Sequence, residues 1–300
     1  MVDFIHNNKD LYGVDAICRI LPIAASTYYR TLDLADNPEH RAKRDLHDEH
    51  HAEQIQRIWK ESSGRYGVRK VWQQLKREGY VIARCTVARL MQKLGIQGVW
   101  RGKNKQTTRS RDDQKRADDL VKRNFNADHP DQLWVSDFTY IQTHSGWVYT
   151  AFIIDVFSRA IVGWKVSTRM NTDMVLDALE QALHDRGMPK NVIHHSDRGV
   201  QYLSIRYTNR LEAANLRASV GTTGDSYDNA LAETVNGLYK TEVIEYLKAD
   251  WQGLADVQLA TLNWVDWFNK KRVHSALGYV SPFEFEAMYY DKINPLGQVA

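Results

Sequence analysis

The stretch LWVSDFTYIQTHSGWVYTAFIIDVFSRAIVGWKVST, residues 133–168, is dense in apolar, aromatic and β-branched side chains and is interrupted by short polar turns. Apolar and polar residues alternate along much of it, which is typical of β-strands. Because the connecting segments are only a few residues long, consecutive strands must be antiparallel. We therefore predict an antiparallel meander with strands at 133–142, 147–156 and 160–168.

Beyond this meander, helices and strands alternate. Residues 171–187 have the apolar periodicity of an amphipathic helix, with Asn171 as N-cap and Gly187 just past its end. Three antiparallel strands followed by helix, strand, helix, strand and helix are the element order of an RNase H-like fold, an α/β domain with a mixed five-stranded sheet flanked by helices. The later predicted elements are a strand at 191–197, a helix at 203–214, a strand at 216–220, a loop at 221–229, a helix from there to about 246 and a helix at 251–270.

Three acidic residues occupy informative places in this pattern. Asp137 lies within the first strand, where aspartate is disfavoured and rarely buried without a partner. Asp197 ends the strand at 191–197, and Glu233 lies on the helix after the loop. Taken singly, Asp197 is explained by a turn or N-cap aspartate and Glu233 by a surface glutamate.

Taken together, the three carboxylates predict a metal site. Hard cations such as Mg²⁺ and Mn²⁺ prefer oxygen ligands, and two such ions can activate a nucleophile and stabilise the leaving oxygen in phosphoryl transfer. We expect Asp137, Asp197 and Glu233 to be the catalytic, metal-binding residues, with two ions of Mg²⁺ or Mn²⁺. The carboxylates must then be held close despite their mutual repulsion.

The front half of the chain is basic. Residues 1–125 carry 25 Lys and Arg against 16 Asp and Glu, a balance of +9, and the remainder carries 15 against 21, a balance of −6. A basic half favours a polyanionic partner such as DNA. We predict a helix-turn-helix-like segment at 1–40 with two short helices over residues 10–32, and a second helix-turn-helix DNA-binding module at 45–98 with helices at 67–78 and 84–94. A basic linker at 99–127 and the RNase H-like core at 128–290 follow.

Basic and aromatic side chains of the second module and the linker are candidate DNA contacts. A solvated helical surface is the alternative for the module, and a flexible tether is the alternative for the linker. Lys240, two helical turns after Glu233, is expected to reach a phosphate beside the metal ions, unless it is simply a solvated lysine. The candidates are Arg65, Tyr66, Arg69, Lys70, Arg84, Arg101, Lys103, Lys105 and Lys240.

Several classes of protein are disfavoured. The amino-terminal MVDFIHNNKDLYG lacks the apolar core of a signal peptide, and no run approaches the roughly 18 apolar residues that span a bilayer. The two cysteines, Cys18 and Cys85, form neither a zinc pattern nor a disulfide framework. We expect a cytoplasmic protein that does not act in a membrane.

Five motifs of the chain resemble those of the OrfB-type transposases of the insertion-sequence-three group, within the DDE superfamily that includes retroviral integrases. The resemblance covers nearly the whole chain. The motifs are W-x-x-D-x-T at Trp134, Asp137 and Thr139, HSDRGVQY at 195–202, DNALAETVNGLYKTE at 228–242, WFNKKRVHSALGYVSPFEF at 267–285 and RYGVRKV at 65–71.

The resemblance implies a DNA transposase in which Asp137, Asp197 and Glu233 are the catalytic triad. Its reaction would be hydrolytic nicking at the element's ends, then attack of the freed 3′-hydroxyl on target DNA without a covalent enzyme intermediate. It also implies terminal inverted repeats and target DNA as partners, a homo-oligomer on DNA, a partnership or fusion with the product of an upstream reading frame, and a bacterial cytoplasm with association to the nucleoid.

Two other functions are compatible with the same fold. One is a metal-dependent nuclease that cuts and stops, and the other is an inert integrase-like DNA-binding regulator. The basic front modules and the motif at 267–285 favour the transposase over the nuclease. The three intact acids argue against the inert regulator.

Overall fold

The computed structural model describes residues 1–100, 121, 125–197, 199–220, 230–247 and 250–294. The helices are α1 (Val2–Tyr12), α2 (Val14–Ile20), α3 (Ala25–Asp36), α4 (Lys43–Glu61), α5 (Val68–Arg77), α6 (Arg84–Lys93), α7 (Thr172–Asp185), α8 (Ile205–Ala213), α9 (Ala230–Tyr239), α10 (Leu254–Lys270) and α11 (Pro282–Ile293). The strands are β1 (Leu133–Thr143), β2 (Gly146–Asp155), β3 (Ile161–Ser167), β4 (Ile193–Ser196) and β5 (Arg217–Val220).

The five strands form one mixed sheet in the order β3-β2-β1-β4-β5. Strands β1, β2 and β3 pair antiparallel, as the short connections predicted, whereas β4 pairs parallel with both β1 and β5. The predicted RNase H-like arrangement is therefore confirmed. The predicted cap of α7 is also present, because the Asn171 side chain accepts a hydrogen bond from the Met174 N–H.

Strand β1 lies at the centre of the sheet and contributes to a core on each face. Its residues Leu133, Val135 and Ile141 pack in the apolar cluster that contains Tyr239 of α9 and residues of α10. Trp134, which points the opposite way, packs in the cluster formed with α7 and α8. Since side chains alternate along a strand, Asp137 shares the α9 face with Val135.

Two helical units precede the sheet. Helices α1, α2 and α3 surround a small cluster of Ile5, Ile17 and Tyr28. The sequence predicted only two helices here, over residues 10–32, because α1 buries just Ile5 and so has little apolar periodicity. In the second unit, helices α5 and α6 lie where they were predicted and pack with α4.

The second helical unit is docked on the end of α10. Val273 is 2% exposed and belongs to the apolar cluster of α4, α5 and α6. The Tyr66 hydroxyl accepts a hydrogen bond from the Val273 N–H at 2.8 Å and donates to the Lys271 carbonyl at 3.3 Å. Arg65 Nε donates to the Glu242 carbonyl at 3.0 Å. The motif at 65–71 therefore joins this unit to the domain that carries the sheet.

A buried ion pair lies beneath this contact. The Arg272 guanidinium donates from Nε and Nη2 to the Glu242 carboxylate, at 3.1 and 2.6 Å to Oε1, and the two side chains are only 5% and 7% exposed. Trp264 Nε1 also donates to Glu242 Oε2 at 3.1 Å. Glu242 lies in a π-helical segment, Lys240–Glu245, that continues α9.

Arg272→Met should lower the free energy of unfolding by about 3–5 kcal/mol, because removing one partner leaves the other charge buried and unpaired. Urea unfolding measures this loss. The double variant Glu242→Met with Arg272→Met should recover much of the stability, since no buried charge remains. Arg206→Met is the control, because its ion pair with Asp173 is 70% and 57% exposed and contributes about 0–1 kcal/mol. An Arg272→Met effect no larger than this control would contradict the assignment.

Candidate active site

The parallel pairing of β1 and β4 determines the position of the two aspartates. The register places Ser136 opposite Ser196, so Asp197, just past the end of β4, follows beside Asp137, which lies within the longer strand β1. Helix α9, which carries Glu233, packs against β1. Two of the three predicted acids therefore come together directly through the sheet, and the third approaches from a helix.

Asp137 is held by two hydrogen bonds. Its Oδ1 accepts from the Phe138 N–H at 2.8 Å, and its Oδ2 accepts from Asn236 Nδ2 at 2.8 Å. Asn236 is 8% exposed and follows Glu233 by three residues, about one turn along α9. The same helix therefore carries the third acid and orients the first one.

Asp197 is held by the turn that follows it. Its Oδ1 accepts from the Gly199 N–H at 2.9 Å. A Cβ at position 199 would lie 3.0 Å from Asp197 Oδ1 and 3.1 Å from Gln201 Oε1, closer than most real contacts. A side chain at this position would therefore displace the Asp197 carboxylate or the Gln201 amide by a few tenths of an ångström.

Burial is the largest cause of a raised pKa at each of the three carboxylates. Burial raises the pKa of Asp137 to about 7, with Asp197 and Glu233 raising it further and the Phe138 N–H and Asn236 opposing the shift. Burial also raises the pKa of Asp197 and of Glu233. Among the residues that the structure describes, neither Lys, Arg nor His forms an ion pair with any of the three, so their charges are not neutralised by a described side chain.

The side chains do not yet converge on one point. Glu233 is exposed, and within the described ranges no three Asp, Glu, His or Cys side chains are arranged so that they could hold one metal ion. The donor set nevertheless fits a hard divalent cation, because it consists of two buried carboxylates side by side and a third on the helix that contacts them.

The candidate DNA contacts occupy different environments. Arg69 and Arg84 are exposed. Tyr66 is 4% exposed. Its hydroxyl bonds the backbone of Lys271 and Val273, so this side chain contributes to the contact between the second helical unit and the end of α10. Arg101, Lys103 and Lys105 lie outside the described residues.

Arg65 and Lys70 also face the protein. The Arg65 guanidinium lies 4.8 Å from the Trp267 ring centroid, and Lys70 Nζ lies 5.1 Å from that of Tyr66. Burial, followed by the charge of Arg272, lowers the pKa of Lys70 to about 7. Lys240 Nζ lies 4.8 Å from the Tyr140 ring centroid, on the side of α9 that faces β1.

The sequence interpretation missed Asn236 and Gly199. Asn236 is three residues after Glu233, a spacing that puts both on one helical face, so the signal was present. Gly199 follows Asp197 by two residues, but only the folded turn shows that its N–H reaches the carboxylate.

The chain matches three family models. Two are described as integrase core domains and match residues 127–226 and 214–282, and the third is an HTH-like domain matching residues 46–104. Within the described residues, no helix is both long and apolar enough to cross a membrane.

Similar proteins carry transposase names. A transposase for insertion sequence element IS629 from Shigella sonnei is 52% identical over 98% of both chains. The transposase InsF for insertion sequence IS3A from Escherichia coli is 31% identical over 94% of this chain and 97% of its own. Among solved structures, the HTLV-2 integrase catalytic core domain in complex with magnesium is 18% identical, with a TM-score of 0.44 over 54% of this chain and 99% of its own.

Asn236→Ala should lower the affinity for Mn²⁺ by about 10- to 100-fold, because a carboxylate that loses its orienting partner binds metal less well. Isothermal titration calorimetry on the full chain measures the change. Thr234→Ala is a matched control, since Thr234 is exposed on the same helix and its hydroxyl donates to the Ala230 carbonyl. Unchanged Mn²⁺ affinity in a folded Asn236→Ala variant would contradict the role given to this side chain.

Proposed function

The chain belongs to the insertion-sequence-three family of DNA transposases, and we propose that it nicks the ends of its element and joins them to target DNA by direct transesterification. Its enzyme class is that of a polynucleotidyl transferase with an integrase core. The observation that carries the proposed chemistry is the placement of Asp137 beside Asp197, with Glu233 on the packed helix.

Asp137, Asp197 and Glu233 are the proposed metal ligands, for two ions of Mg²⁺ or Mn²⁺. When bound, these ions would activate the attacking oxygen and stabilise the charge on the leaving oxygen. The match to an integrase core domain supports the use of a divalent metal. The three side chains offer only oxygen ligands, which hard divalent cations prefer. Burial and the neighbouring carboxylates raise the pKa of Asp137, and a bound cation would offset both effects by stabilising the ionised carboxylate.

The other residues of the site act by orientation. Asn236 and the Phe138 N–H fix both oxygens of Asp137, and the Gly199 N–H fixes one oxygen of Asp197. In the first step water attacks the phosphodiester and the element's 3′-oxygen leaves with a proton as a hydroxyl. In the second step this hydroxyl attacks a target phosphodiester, and the target's 3′-oxygen leaves. Each step exchanges one P–O bond for another, so no covalent enzyme intermediate is required.

Basic surface residues are the proposed DNA contacts. Arg69 and Arg84 are exposed on the second helical unit, and Lys240 lies over the Tyr140 ring, four residues after Asn236. Arg101, Lys103 and Lys105 belong to the proposed basic linker at 99–127. Val121, within the same segment, is 6% exposed in the apolar cluster with β1 and α9, so the end of the linker contributes to the core.

The remaining organisation is also proposed. The units are the helix-turn-helix-like segment at 1–40, the DNA-binding module at 45–98, the linker and the core at 128–290. Terminal inverted repeats and target DNA are the proposed partners, and the bacterial cytoplasm is the proposed location. A homo-oligomer is proposed because transposition must bring two element ends together. The product of an upstream reading frame is a further proposed partner.

Asp197→Asn should abolish Mg²⁺-dependent strand transfer, with a rate loss on the order of 10³, because several kcal/mol of transition-state stabilisation depend on the metal. The assay incubates the full chain with DNA bearing the flanking element ends and maps the products. DNA binding measured in Ca²⁺ should change by no more than about twofold, since the substitution removes no cation from the DNA-binding surface.

Asp177→Asn is the control, because Asp177 forms an exposed ion pair with Lys165. Equal losses of binding and strand transfer in Asp197→Asn would contradict the metal role. Wild-type products that are nicked but never joined would instead support the nuclease alternative.

A further inference from the structure

Two aromatic side chains are exposed on the β1–β2 hairpin. Tyr140 on β1 is 44% exposed and Trp147 on β2 is 49% exposed. Their ring centroids lie 5.3 Å apart with an interplanar angle of 81°. The register pairs Tyr140 with Tyr149 and Gln142 with Trp147, so the two rings are diagonal neighbours on one face.

This pair is close to the carboxylates through two connections. Along β1, Tyr140 follows Asp137 by three residues, about 10 Å at the usual strand rise. Along the helix, Lys240 follows Asn236 by four residues, about 6 Å. Asn236 bonds Asp137, and Lys240 lies over Tyr140. Because side chains alternate along β1, Tyr140 starts from the opposite face of the strand to Asp137. Lys240 nevertheless reaches the Tyr140 ring, beyond Leu133–Ser136, the part of β1 that pairs with β4.

The hairpin that carries the rings is anchored. The His144 N–H donates to the Trp251 carbonyl at 2.9 Å, and the Ser145 N–H donates to the Gln252 carbonyl at 3.1 Å. The Ser145 hydroxyl also donates to the Gln252 carbonyl at 2.7 Å. A ligand would therefore meet rings on a fixed backbone, and binding would cost little ordering of the chain.

An aromatic surface with a cation above it matches an unpaired nucleotide. Every base has an apolar face that stacks on an aromatic ring, whereas the bases of a duplex are already stacked on their neighbours. The Lys240 ammonium offers a positive charge to a backbone phosphate. An apolar protein partner fits less well, because covering the pair would also desolvate this ammonium.

We propose that Tyr140 and Trp147 form a stacking site for an unpaired base near the reacting end of the DNA, with Lys240 neutralising an adjacent phosphate. The inference rests on the proposed function for its substrate, DNA. It adds a separate binding site, which would hold the end of a DNA strand that has separated from its complement. Tyr140 of this site follows Asp137 by three residues along β1. Stacking tolerates any base, so the site favours unpaired structure without selecting sequence.

The test compares two DNA probes in Ca²⁺, so that binding is measured without chemistry. One is a duplex with an unpaired 3′-dinucleotide that contains 2-aminopurine, and the other is the same duplex with blunt ends. Wild type should bind the overhang probe more tightly and quench its 2-aminopurine fluorescence. Trp147→Ala should weaken overhang binding by roughly 5- to 100-fold and abolish the quenching, because stacking on one aromatic ring is worth that much.

Blunt-duplex affinity should stay within about twofold of wild type in this variant, since its phosphate contacts remain. Trp147→Phe, which keeps an aromatic ring, should retain most of the preference for the overhang. Trp147→Leu, which keeps apolar volume without a ring, should lose it, and this variant serves if Trp147→Ala does not fold. Tyr290→Ala is the control, because Tyr290 is 46% exposed on α11 and has no proposed DNA role.

The proposal is overturned if Trp147→Ala and Trp147→Leu weaken binding of the overhang and of the blunt duplex by the same factor, or if they change binding of neither probe. The proposed function fails separately. If wild type never joins DNA but still shows Trp147-dependent overhang binding, the transposase reaction is wrong and the stacking site remains. If Asp197→Asn loses strand transfer while Trp147→Leu binds the overhang as wild type does, the reaction stands and the stacking site is wrong.

Discussion

The parallel pairing of β1 with β4 is the constraint on which the proposed chemistry depends. It places Asp197, just past the end of β4, beside Asp137 within β1, so that two carboxylates lie close together. This closeness is unfavourable without a cation, and the raised pKa of Asp137 records the effect of burial and of its charged neighbours. The surrounding hydrogen bonds, from Asn236 and two backbone N–H groups, hold the carboxylates in place.

Helix α9 and its π-helical continuation link the site to the rest of the molecule. They carry Glu233 and Asn236 at the acids, Lys240 over the exposed aromatic pair, and Glu242 at the buried ion pair. Because Arg65 donates to the Glu242 carbonyl, the second helical unit contacts the same continuous segment. DNA held by that unit would thus be positioned relative to the acids through one stretch of backbone.

Local pattern was sufficient for the elements but not for their distant contacts. Alternation and helical periodicity predicted the meander, α7 and the placement of Asp137, Asp197 and Glu233, because those signals lie within a few residues. They could not show that Tyr66 bonds residues 271 and 273, because a basic motif packed on another part of the protein has the same sequence pattern as one exposed to solvent. Nor could they show that Arg272 pairs with Glu242, 30 residues away. Helix α1 was missed because only Ile5 of it is buried.

The most direct test of the central claim is anomalous diffraction from crystals of the full chain soaked in Mn²⁺. The account predicts Mn²⁺ peaks between Asp137, Asp197 and Glu233, with carboxylate oxygens of all three about 2.1–2.2 Å from the metal. Peaks bound elsewhere, or a fully soaked crystal in which Glu233 provides no ligand to the metal, would contradict it.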